Sequence, residues 1–232
     1  MDLSYIDENV ARIREKMDAA ARCSGRRAED IILLAAIKSA DEHEINYLHG
    51  KLGINDVGEN RVQQLLSRYD LIDRDGLNVH FIGSLQTNKV KYISDKVSLI
   101  HSLDALGLAR EIDKQAKKHG IVSRVLVEIN SGNEESKGGI AASEAERFCS
   151  EILRLDAIEI CGFMTMAPKC QDKKEYYGYF STTKQLSDRI WKDTLGRDGA
   201  PIISMGMSDS FEEAIECGAT IVRIGRTVFQ KG

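Results

Sequence analysis

Two patterns alternate along this 232-residue chain from residue 31 to its end. Short runs rich in Val, Ile and Leu, which are typical of buried strands, are each followed by a longer amphipathic or polar stretch. Strands that alternate with helices form parallel βαβ units, and eight such units are the number that closes into a barrel. We therefore predict an α/β fold, a (β/α)8 TIM barrel. Its strands are predicted over Ile31–Ile37, Asn55–Val57, Val79–Ile82, Val97–Ile100, Arg124–Ile129, Ile158–Met164, Ile202–Met205 and Thr220–Ile224.

Helical periodicity marks the stretches between these strands, and several of them end in glycine, a residue that commonly stops a helix. One more helix, near Ile6–Cys23, is predicted ahead of the first strand. The chain has two prolines and no linker-like stretch, so we expect one domain over residues 1–232. The helices between the strands are predicted over Glu42–Leu52, Arg61–Tyr69, Asn88–Ile93, Ala105–His119, Ser143–Leu153, Lys173–Trp191 and Phe211–Glu216.

The main alternative is an open, doubly wound sheet. That fold usually carries a glycine-rich phosphate-binding turn after its first strand. Here the first predicted strand is followed by Lys38, Ser39 and Ala40, and neither GxGxxG nor GxxxxGKS/T occurs in the sequence. The closed barrel therefore accounts for the sequence better than the open sheet does.

The composition argues against two classes of partner. The net charge is −4, and Lys and Arg cluster on no more than one predicted helix face, whereas nucleic-acid binding needs a larger basic surface. No run approaches the ~18 apolar residues of a membrane span, and the charged N-terminus lacks the apolar segment of a signal peptide. We expect a cytoplasmic monomer that binds neither nucleic acid nor membranes.

Cysteine and histidine show no metal-binding spacing. The five cysteines are scattered without a CxxC pair, which argues against a zinc site or a disulfide framework. The five histidines show no HExxH or similar pattern. A metal-dependent barrel enzyme is therefore not expected, and the cysteines are expected to be reduced thiols.

Lys38 ends the first predicted strand, directly after seven apolar residues. In a barrel of this type the functional groups lie at the carboxyl ends of the strands. Two interpretations remain open from this position alone. Either the lysine extends to solvent from a strand end, or it is a desolvated amine that acts as a nucleophile towards carbonyl groups.

The loops after the last two predicted strands have features of a phosphate site. In barrels of this type these loops often bind phosphate through backbone N–H groups and a helix N-terminus. Gly206 and Gly225 allow the backbone to approach an anion closely. Hydroxyl groups are available from Ser204, Ser208 and Thr227.

A capping box is also expected where the loop after the seventh strand enters a helix. Two pairs fit the spacing, Ser210 with Glu213 and Asp209 with Glu212. A phosphate site and a carbonyl-seeking lysine at one barrel mouth together suggest a phosphorylated aldehyde as the ligand. Pyridoxal 5′-phosphate (PLP) is the obvious candidate.

Seven segments extend this pattern over nearly the whole chain. They are LLAAIKSA around Lys38, Asp56–Gln64, Val79–Val90, Ile129–Ile140, Gly162–Pro168, Ser204–Thr220 and Val222–Phe229. Together they resemble the PLP-binding homeostasis proteins, whose barrel is similar to the N-terminal domain of alanine racemase. The set is far more specific than any one of its members.

The resemblance implies roles for individual residues. Lys38 is expected to bind PLP as a Schiff base. Ser204 and the backbone of Gly225 and Arg226 are expected to hold the phosphate group. Arg223 is expected to face the pyridine nitrogen.

Other positions complete or depart from the family pattern. Asn60 is expected to line the cofactor pocket, with Thr227 beside the phosphate, and Lys137 corresponds to a second lysine near the barrel mouth. Arg226 stands where the family usually has Thr or Ser, so it either adds charge to the phosphate or points to solvent. Gln230 replaces a common glycine.

Two features favour a binding protein over an enzyme. An arginine is effectively always protonated, so Arg223 would keep the pyridine nitrogen unprotonated and the ring a weaker electron sink. Alanine racemases share this arrangement but add a second domain with a catalytic tyrosine, for which a chain ending at Gly232 leaves no room; Tyr176, Tyr177 and Tyr179 have the spacing of packing residues. We expect a non-catalytic protein of PLP homeostasis that serves apo PLP-dependent enzymes. The alternative is a weak amino-acid racemase.

Overall fold

A closed barrel of parallel strands forms the centre of the structure, a computed structural model that describes residues 2–132 and 138–231. The strands are rich in Ile, Leu and Val and mostly buried, as expected where both faces of a parallel sheet are covered. In chain order they are β1 Ile32–Ala36, β2 Asp56–Glu59, β3 Asn78–Phe81, β4 Leu99–Leu103, β5 Ser123–Asn130, β6 Ile140–Ala141, β7 Ile158–Met164, β8 Ile202–Ser204 and β9 Ile221–Ile224.

The strand order confirms the predicted (β/α)8 barrel. Within the described residues the strands pair in the order β4-β3-β2-β1-β9-β8-β7-β5-β6, and an additional pairing of β4 with β5 closes the sheet. The two-residue β6, which was not predicted, pairs with β5, and the other eight strands form the barrel. Because all pairings are parallel, the carboxyl ends of the eight strands meet at one rim.

Helices surround the barrel close to the predicted positions. They are α1 Ser4–Cys23, α2 Glu42–Leu52, α3 Val62–Arg68, α4 Leu106–His119, α5 Ala145–Ile152, α6 Lys173–Arg189, α7 Phe211–Glu216 and α8 Arg226–Phe229. The stretch after β3 forms a 3-10 helix over Thr87–Tyr92, and a π-helical turn, Ile190–Thr194, continues α6.

Local signals fix both ends of α2, the helix that follows Lys38. The side chain of Asp41 accepts a hydrogen bond from the backbone N–H of Glu44 (2.9 Å), and the Glu44 carboxylate accepts one from the backbone of Asp41 (2.9 Å). This reciprocal pair is a capping box. The helix ends at Gly53, whose φ of +62° lies in the left-handed region that glycine adopts without strain.

Successive side chains along a strand alternate between the inside of the barrel and the surrounding helices. On β9, Val222 and Ile224 face the helices, whereas Ile221 and Arg223 face the interior. The apolar part of the interior is a small cluster of strand and strand-end residues. Its buried members are Leu34, Ile82, Leu99, Leu126, Cys161, Met164 and Ile221.

Helix α1 holds the last segment of the chain against the barrel. It packs on α7 and α8 through the buried residues Ile6, Val10 and Ile13. The buried Asn9 side chain donates hydrogen bonds to the carbonyl oxygens of Val228 (3.1 Å) and Gln230 (2.9 Å). The turn after β9 is thereby fixed from outside the barrel.

Replacement of Asn9 tests this anchor. Asn9→Ala leaves the two carbonyl groups without their amide donor, and we expect a loss of about 1–3 kcal/mol in the free energy of unfolding. Urea denaturation followed by circular dichroism measures it. Asn88→Ala, at an exposed position, is the control and is expected to change stability by less than about 0.5 kcal/mol. Equal stabilities for the two variants would contradict the anchor.

Candidate functional site

A cavity of about 370 Å³ opens at the rim where the strands end. It brings together five of the seven residues that the sequence predicts for a cofactor site. These are Lys38, Asn60, Arg223, Gly225 and Arg226. The rest of the lining consists of Ala36, Ile82, Tyr176 and residues 166–169 and 207–210.

The backbone around Lys38 is held by four hydrogen bonds. Ile37 donates its N–H to the carbonyl of Gly58 (3.0 Å), and its own carbonyl accepts from the Arg68 guanidinium (2.7 Å) and from the N–H of Ala40 (3.1 Å). The Lys38 carbonyl accepts from the Gln64 amide (2.7 Å). The Lys38 side chain itself is exposed, so the described residues do not provide the desolvation that one interpretation of the sequence required. The structure therefore fixes the backbone from which the Lys38 side chain extends, and the amine remains accessible.

A buried carboxylate supports this corner of the cavity. Glu59, at the end of β2, is fully buried, accepts the backbone N–H of Asn60 (2.7 Å) and forms an ion pair with Arg68 (3.2 Å). Burial raises the pKa of Glu59, while the N–H of Asn60 and the charge of Arg68 act in the opposite direction. Glu59 thus contacts both Asn60, which lines the cavity, and Arg68, which donates to the Ile37 carbonyl.

Two glycines allow the opposite wall to form. Gly206, after β8, has a φ of +89°, and a Cβ added there would lie 2.5 Å from the Cβ of Ala214. A Cβ on Gly225, after β9, would lie 2.6 Å from the carbonyl oxygen of Ala36. No side chain fits at either position without displacing its neighbours. Both turns are therefore packed so closely that they require glycine, and their predicted approach to an anion stays a prediction.

Neither predicted capping box forms at the start of α7. The Ser210 hydroxyl accepts the backbone N–H of Met207 (3.3 Å), which closes a tight loop instead of capping the helix. Glu213 is bound by Lys173 (2.7 Å). The loop places Ser208, which was noted only as a nearby hydroxyl, in the cavity lining.

The other predicted pair, Asp209 with Glu212, is also replaced by contacts outside the helix. The Asp209 carboxylate accepts a hydrogen bond from Arg226 (2.6 Å), and Glu212 pairs with Lys16 (2.9 Å). Both members of the Arg226–Asp209 pair are more than half exposed. The side chain of Arg226 therefore lies at the cavity edge, beside a carboxylate of opposite charge.

Arg223 is the buried cation of the site. Its guanidinium donates to the Ser204 hydroxyl (2.6 Å) and to the carbonyl oxygen of Thr165 (3.0 Å). Burial lowers the pKa of Arg223 to about 10, against the opposing effect of Glu128, so the side chain remains charged at neutral pH. Ser204 is fully buried behind Arg223 and is not among the lining residues. The structure thus shows Ser204 as a support of Arg223, and its expected contact with phosphate stays a prediction.

Two carboxylates that the sequence did not predict lie in this region, Glu128 beside Arg223 and Asp104 beside Glu128. Glu128 faces the interior at the end of β5, and Asp104 follows β4; a Cβ on Gly138 would lie 3.3 Å from Asp104 and 3.7 Å from Glu128. Burial raises the pKa of Glu128 to about 7, the charge of Asp104 adds to the rise, and Arg223 opposes it. A glutamate within the apolar run RVLVEI was the available signal.

Besides Ser204, two further residues singled out in the sequence are not part of the described cavity. Thr227 lines a separate groove of about 500 Å³, together with residues of α1 such as Asn9 and Arg12. Lys137 lies outside the described residues.

The loop after β7 and the start of α6 form a third wall. The Tyr176 hydroxyl accepts the backbone N–H of Cys170 (3.3 Å), and its ring stacks on Phe180 with centroids 5.9 Å apart. The Tyr177 hydroxyl instead donates to Glu216. Of the three clustered tyrosines, Tyr176 is therefore the one that combines packing with a place at the cavity.

Comparison with known proteins identifies the family. The family model for the N-terminal domain of alanine racemase matches residues 1–231. A protein of Aquifex aeolicus named pyridoxal phosphate homeostasis protein is 40% identical over 222 residues, 96% of each chain. This chain belongs to the pyridoxal phosphate homeostasis protein family. The resemblance found in the sequence is thereby confirmed.

Solved structures agree with this assignment. A protein of Bifidobacterium adolescentis superposes with a TM-score of 0.90 at 32% identity, covering 99% of this chain and 97% of that one. PipY of Synechococcus elongatus, solved with PLP bound, has a TM-score of 0.83 at 24% identity, with 97% and 100% of the two chains covered. The similarity to PipY shows that this chain and PipY share the same fold.

None of the helices described is long and apolar enough to cross a membrane. Likewise, no three His, Cys, Asp or Glu side chains in the part of the chain described are grouped to hold a metal ion.

The raised pKa of Glu128 predicts a pH-dependent effect of Glu128→Gln. Because this pKa is about 7 in the folded protein and ordinarily 4.5, the folded state binds the proton more tightly, and that stabilisation is lost as pH rises through 7. We expect Glu128→Gln to be about 1–3 kcal/mol more stable than the wild type at pH 8 and nearly equal at pH 5. Urea denaturation at both pH values measures this.

A glutamate on the neighbouring strand provides the control. Glu159 on β7 is about half exposed, and Glu159→Gln is expected to show the same small effect at both pH values. A Glu128→Gln effect that does not change between pH 5 and pH 8 would contradict the raised pKa.

Proposed function

We propose that this chain binds PLP in the 370 Å³ cavity and acts in intracellular PLP homeostasis as a single binding domain, without robust catalysis. One observation carries the proposal. An accessible lysine, a close glycine turn and a buried arginine line the same cavity, as Lys38, Gly225 and Arg223. PLP offers one group to each of them, namely an aldehyde, a phosphate and a pyridine nitrogen.

The chemistry of the lining fits this cofactor. The Lys38 amine condenses with the aldehyde to form a C=N bond, and the carbonyl oxygen leaves as water. The turn of Gly225 and Arg226 and the Ser208 hydroxyl supply polar contacts for a phosphate, while Ile82 offers apolar surface to the ring. Asn60 completes the wall beside Lys38.

Relatives support the same role. The Aquifex aeolicus protein is named for pyridoxal phosphate homeostasis, and PipY was solved with PLP bound. We extend PLP binding to this chain on that basis, together with the cavity. Apo PLP-dependent enzymes are the proposed recipients of the cofactor, and we propose that the protein acts as a monomer.

The position of Arg223 favours binding over catalysis. A protonated guanidinium donates hydrogen bonds and accepts none, so it pairs with an unprotonated pyridine nitrogen. An unprotonated ring withdraws electrons less strongly than the protonated ring found beside a carboxylate. Arg223 is held in place by Ser204 and Thr165, which keeps a donor rather than a carboxylate at the cavity floor.

Weak amino-acid racemisation is the second candidate, because Tyr176 lines the cavity. Racemisation needs a proton donor and acceptor on each face of the α-carbon. Lys38 would serve one face and the Tyr176 hydroxyl the other. That hydroxyl already accepts a backbone hydrogen bond from Cys170 (3.3 Å) and would remain free to donate its own proton.

Replacement of Lys38 tests covalent binding. The purified protein with PLP is expected to be yellow, and Lys38→Ala is expected to lose the colour because the amine is absent. Borohydride reduction followed by peptide mass spectrometry should place the label on Lys38. Lys169→Ala removes another lysine of the same cavity and is the matched control, which is expected to keep the colour. Full covalent occupancy in Lys38→Ala would refute the assignment, and Lys137 would be tested next.

Solvent exchange separates the two candidate functions. For a binding protein, exchange of the α-hydrogen of alanine in D2O is expected to remain at the level of Lys38→Ala, as measured by proton NMR. Transfer of PLP to an apo-enzyme is expected to proceed, and its rate is compared with that of PLP release into free solution. Exchange well above the Lys38→Ala level that is lost in Tyr176→Phe would support the racemase instead.

A further inference from the structure

A chain of hydrogen bonds crosses the inside of the barrel. At its lower end, Asp56 at the start of β2 binds Nε2 of His80 on β3 (3.0 Å). Nδ1 of His80 contacts Nε2 of His101 on β4 (2.9 Å), and Nδ1 of His101 contacts the Ser204 hydroxyl on β8 (3.0 Å). Ser204 in turn accepts from Arg223 on β9 (2.6 Å). Five strands therefore contribute one polar residue each.

The chain of hydrogen bonds joins two cavities, which lie at opposite ends of the barrel. Arg223 lines the cavity at the carboxyl ends of the strands. Asp56 lines a second cavity, of about 430 Å³, at the amino ends of β1 and β2. His80, His101 and Ser204 between them are buried. A cation and a carboxylate are thus connected through three buried groups, of which His101 and Ser204 are fully buried.

The two ends of the chain of hydrogen bonds set the direction of its bonds, because the nitrogens of Arg223 only donate and the carboxylate of Asp56 only accepts. His80 therefore carries a proton on Nε2, which it donates to Asp56, and a neutral His80 accepts at Nδ1. His101 then carries its proton on Nε2 and donates it to Nδ1 of His80.

The remaining bond follows from the same reasoning. A neutral His101 accepts at Nδ1 the proton of the Ser204 hydroxyl, whose oxygen accepts from Arg223. With both histidines neutral, one arrangement of protons therefore satisfies all four bonds, and it places both ring protons on Nε2.

The surroundings of His101 agree with this arrangement. His101 is fully buried, and burial holds its pKa well below the usual range, reinforced by His80 and the charge of Arg223. A neutral His101 has one donor and one acceptor, which is what its two neighbours in the chain require.

We infer that Asp56, His80 and His101 are positioning residues for Arg223, which they orient in the cofactor cavity from the far end of the barrel. The inference rests on the proposed function, in which Arg223 faces the pyridine nitrogen of PLP. The chain of hydrogen bonds orients and does not conduct protons, because Arg223 at its end stays protonated and neither takes up nor releases a proton. The Thr165 carbonyl binds one terminal nitrogen of the Arg223 guanidinium, so the chain of hydrogen bonds determines the orientation of the other.

The proton arrangement is testable without cofactor. Long-range 1H–15N spectra of protein labelled with 15N-histidine distinguish the two tautomers and the charged form. At neutral pH we expect His80 and His101 both to be neutral with the proton on Nε2, and assignment uses His80→Gln and His101→Asn. A charged His101, or a proton on Nδ1 of either ring, would overturn the inference. This measurement stands whether or not the protein binds PLP.

The influence on the cofactor is tested from the remote end. Asp56→Ala removes the terminal acceptor but no residue of the cofactor cavity. We expect a shifted absorption maximum of bound PLP and about tenfold weaker PLP binding, because a less well oriented Arg223 makes a weaker charge-assisted hydrogen bond to the pyridine nitrogen. Asp56→Asn retains an acceptor oxygen for His80 and is expected to recover most of both properties. A merely structural role would lower stability and leave the absorption maximum unchanged.

A second carboxylate of the lower cavity supplies the control. Asp18 lines that cavity and pairs with exposed Arg22, outside the chain. Asp18→Ala is expected to keep the wild-type spectrum and affinity. Folded Asp56→Ala and His101→Leu proteins with wild-type spectrum and affinity would overturn the inference. By contrast, a wild-type protein that fails to bind PLP would refute the proposed function. The tautomer measurement would then be the test of the chain of hydrogen bonds.

Discussion

The pairing of the first strand with the last is the constraint on which the site depends. β1 and β9 align Leu34 with Arg223 and Ala35 with Ile224, although almost the whole barrel separates them in sequence. At the end of this pair Gly225 approaches the Ala36 carbonyl so closely that a Cβ would lie 2.6 Å away. Lys38 follows the end of β1, and the proposed phosphate-binding turn follows the end of β9 beside it. Barrel closure therefore sets the distance between the amine and the anion site.

The buried cation shapes much of the interior. An isolated charge inside a protein is unfavourable unless its donors are satisfied and an opposite charge is near. Arg223 meets the first requirement with Ser204 and Thr165, and Glu128 contributes the nearby negative charge when it is ionised. Glu128 is in turn disfavoured as an anion by its own burial. Arg223 and Glu128 are therefore two buried groups, each of which is stabilised in its charged form by the other and destabilised by its own burial.

The sequence predicted the barrel and the position of Lys38, because both depend on local pattern and on the rule that strand ends meet at one rim. The family resemblance placed Ser204 at the phosphate, and that contact stays a prediction, because a hydroxyl after a strand does not indicate its own partner. The structure shows Ser204 bound to His101, 103 positions away. Contacts of this kind depend on the register around the whole barrel. The capping boxes predicted at Ser210 and Asp209 failed for a related reason, since Met207 and Arg226 compete for the same side chains.

The exposure of Lys38 bears on what a Schiff base there is suited to do. An enzyme benefits from a closed site that excludes water and side reactions. A carrier must also release its cofactor, and a C=N bond opens when water or another amine reaches its carbon. Lys38 is exposed, and the nearby rim includes Met166 and Met207, both more than a third exposed. Methionine adapts to varied apolar surfaces. An accessible imine beside an adaptable rim fits release to a second protein better than it fits retention for chemistry.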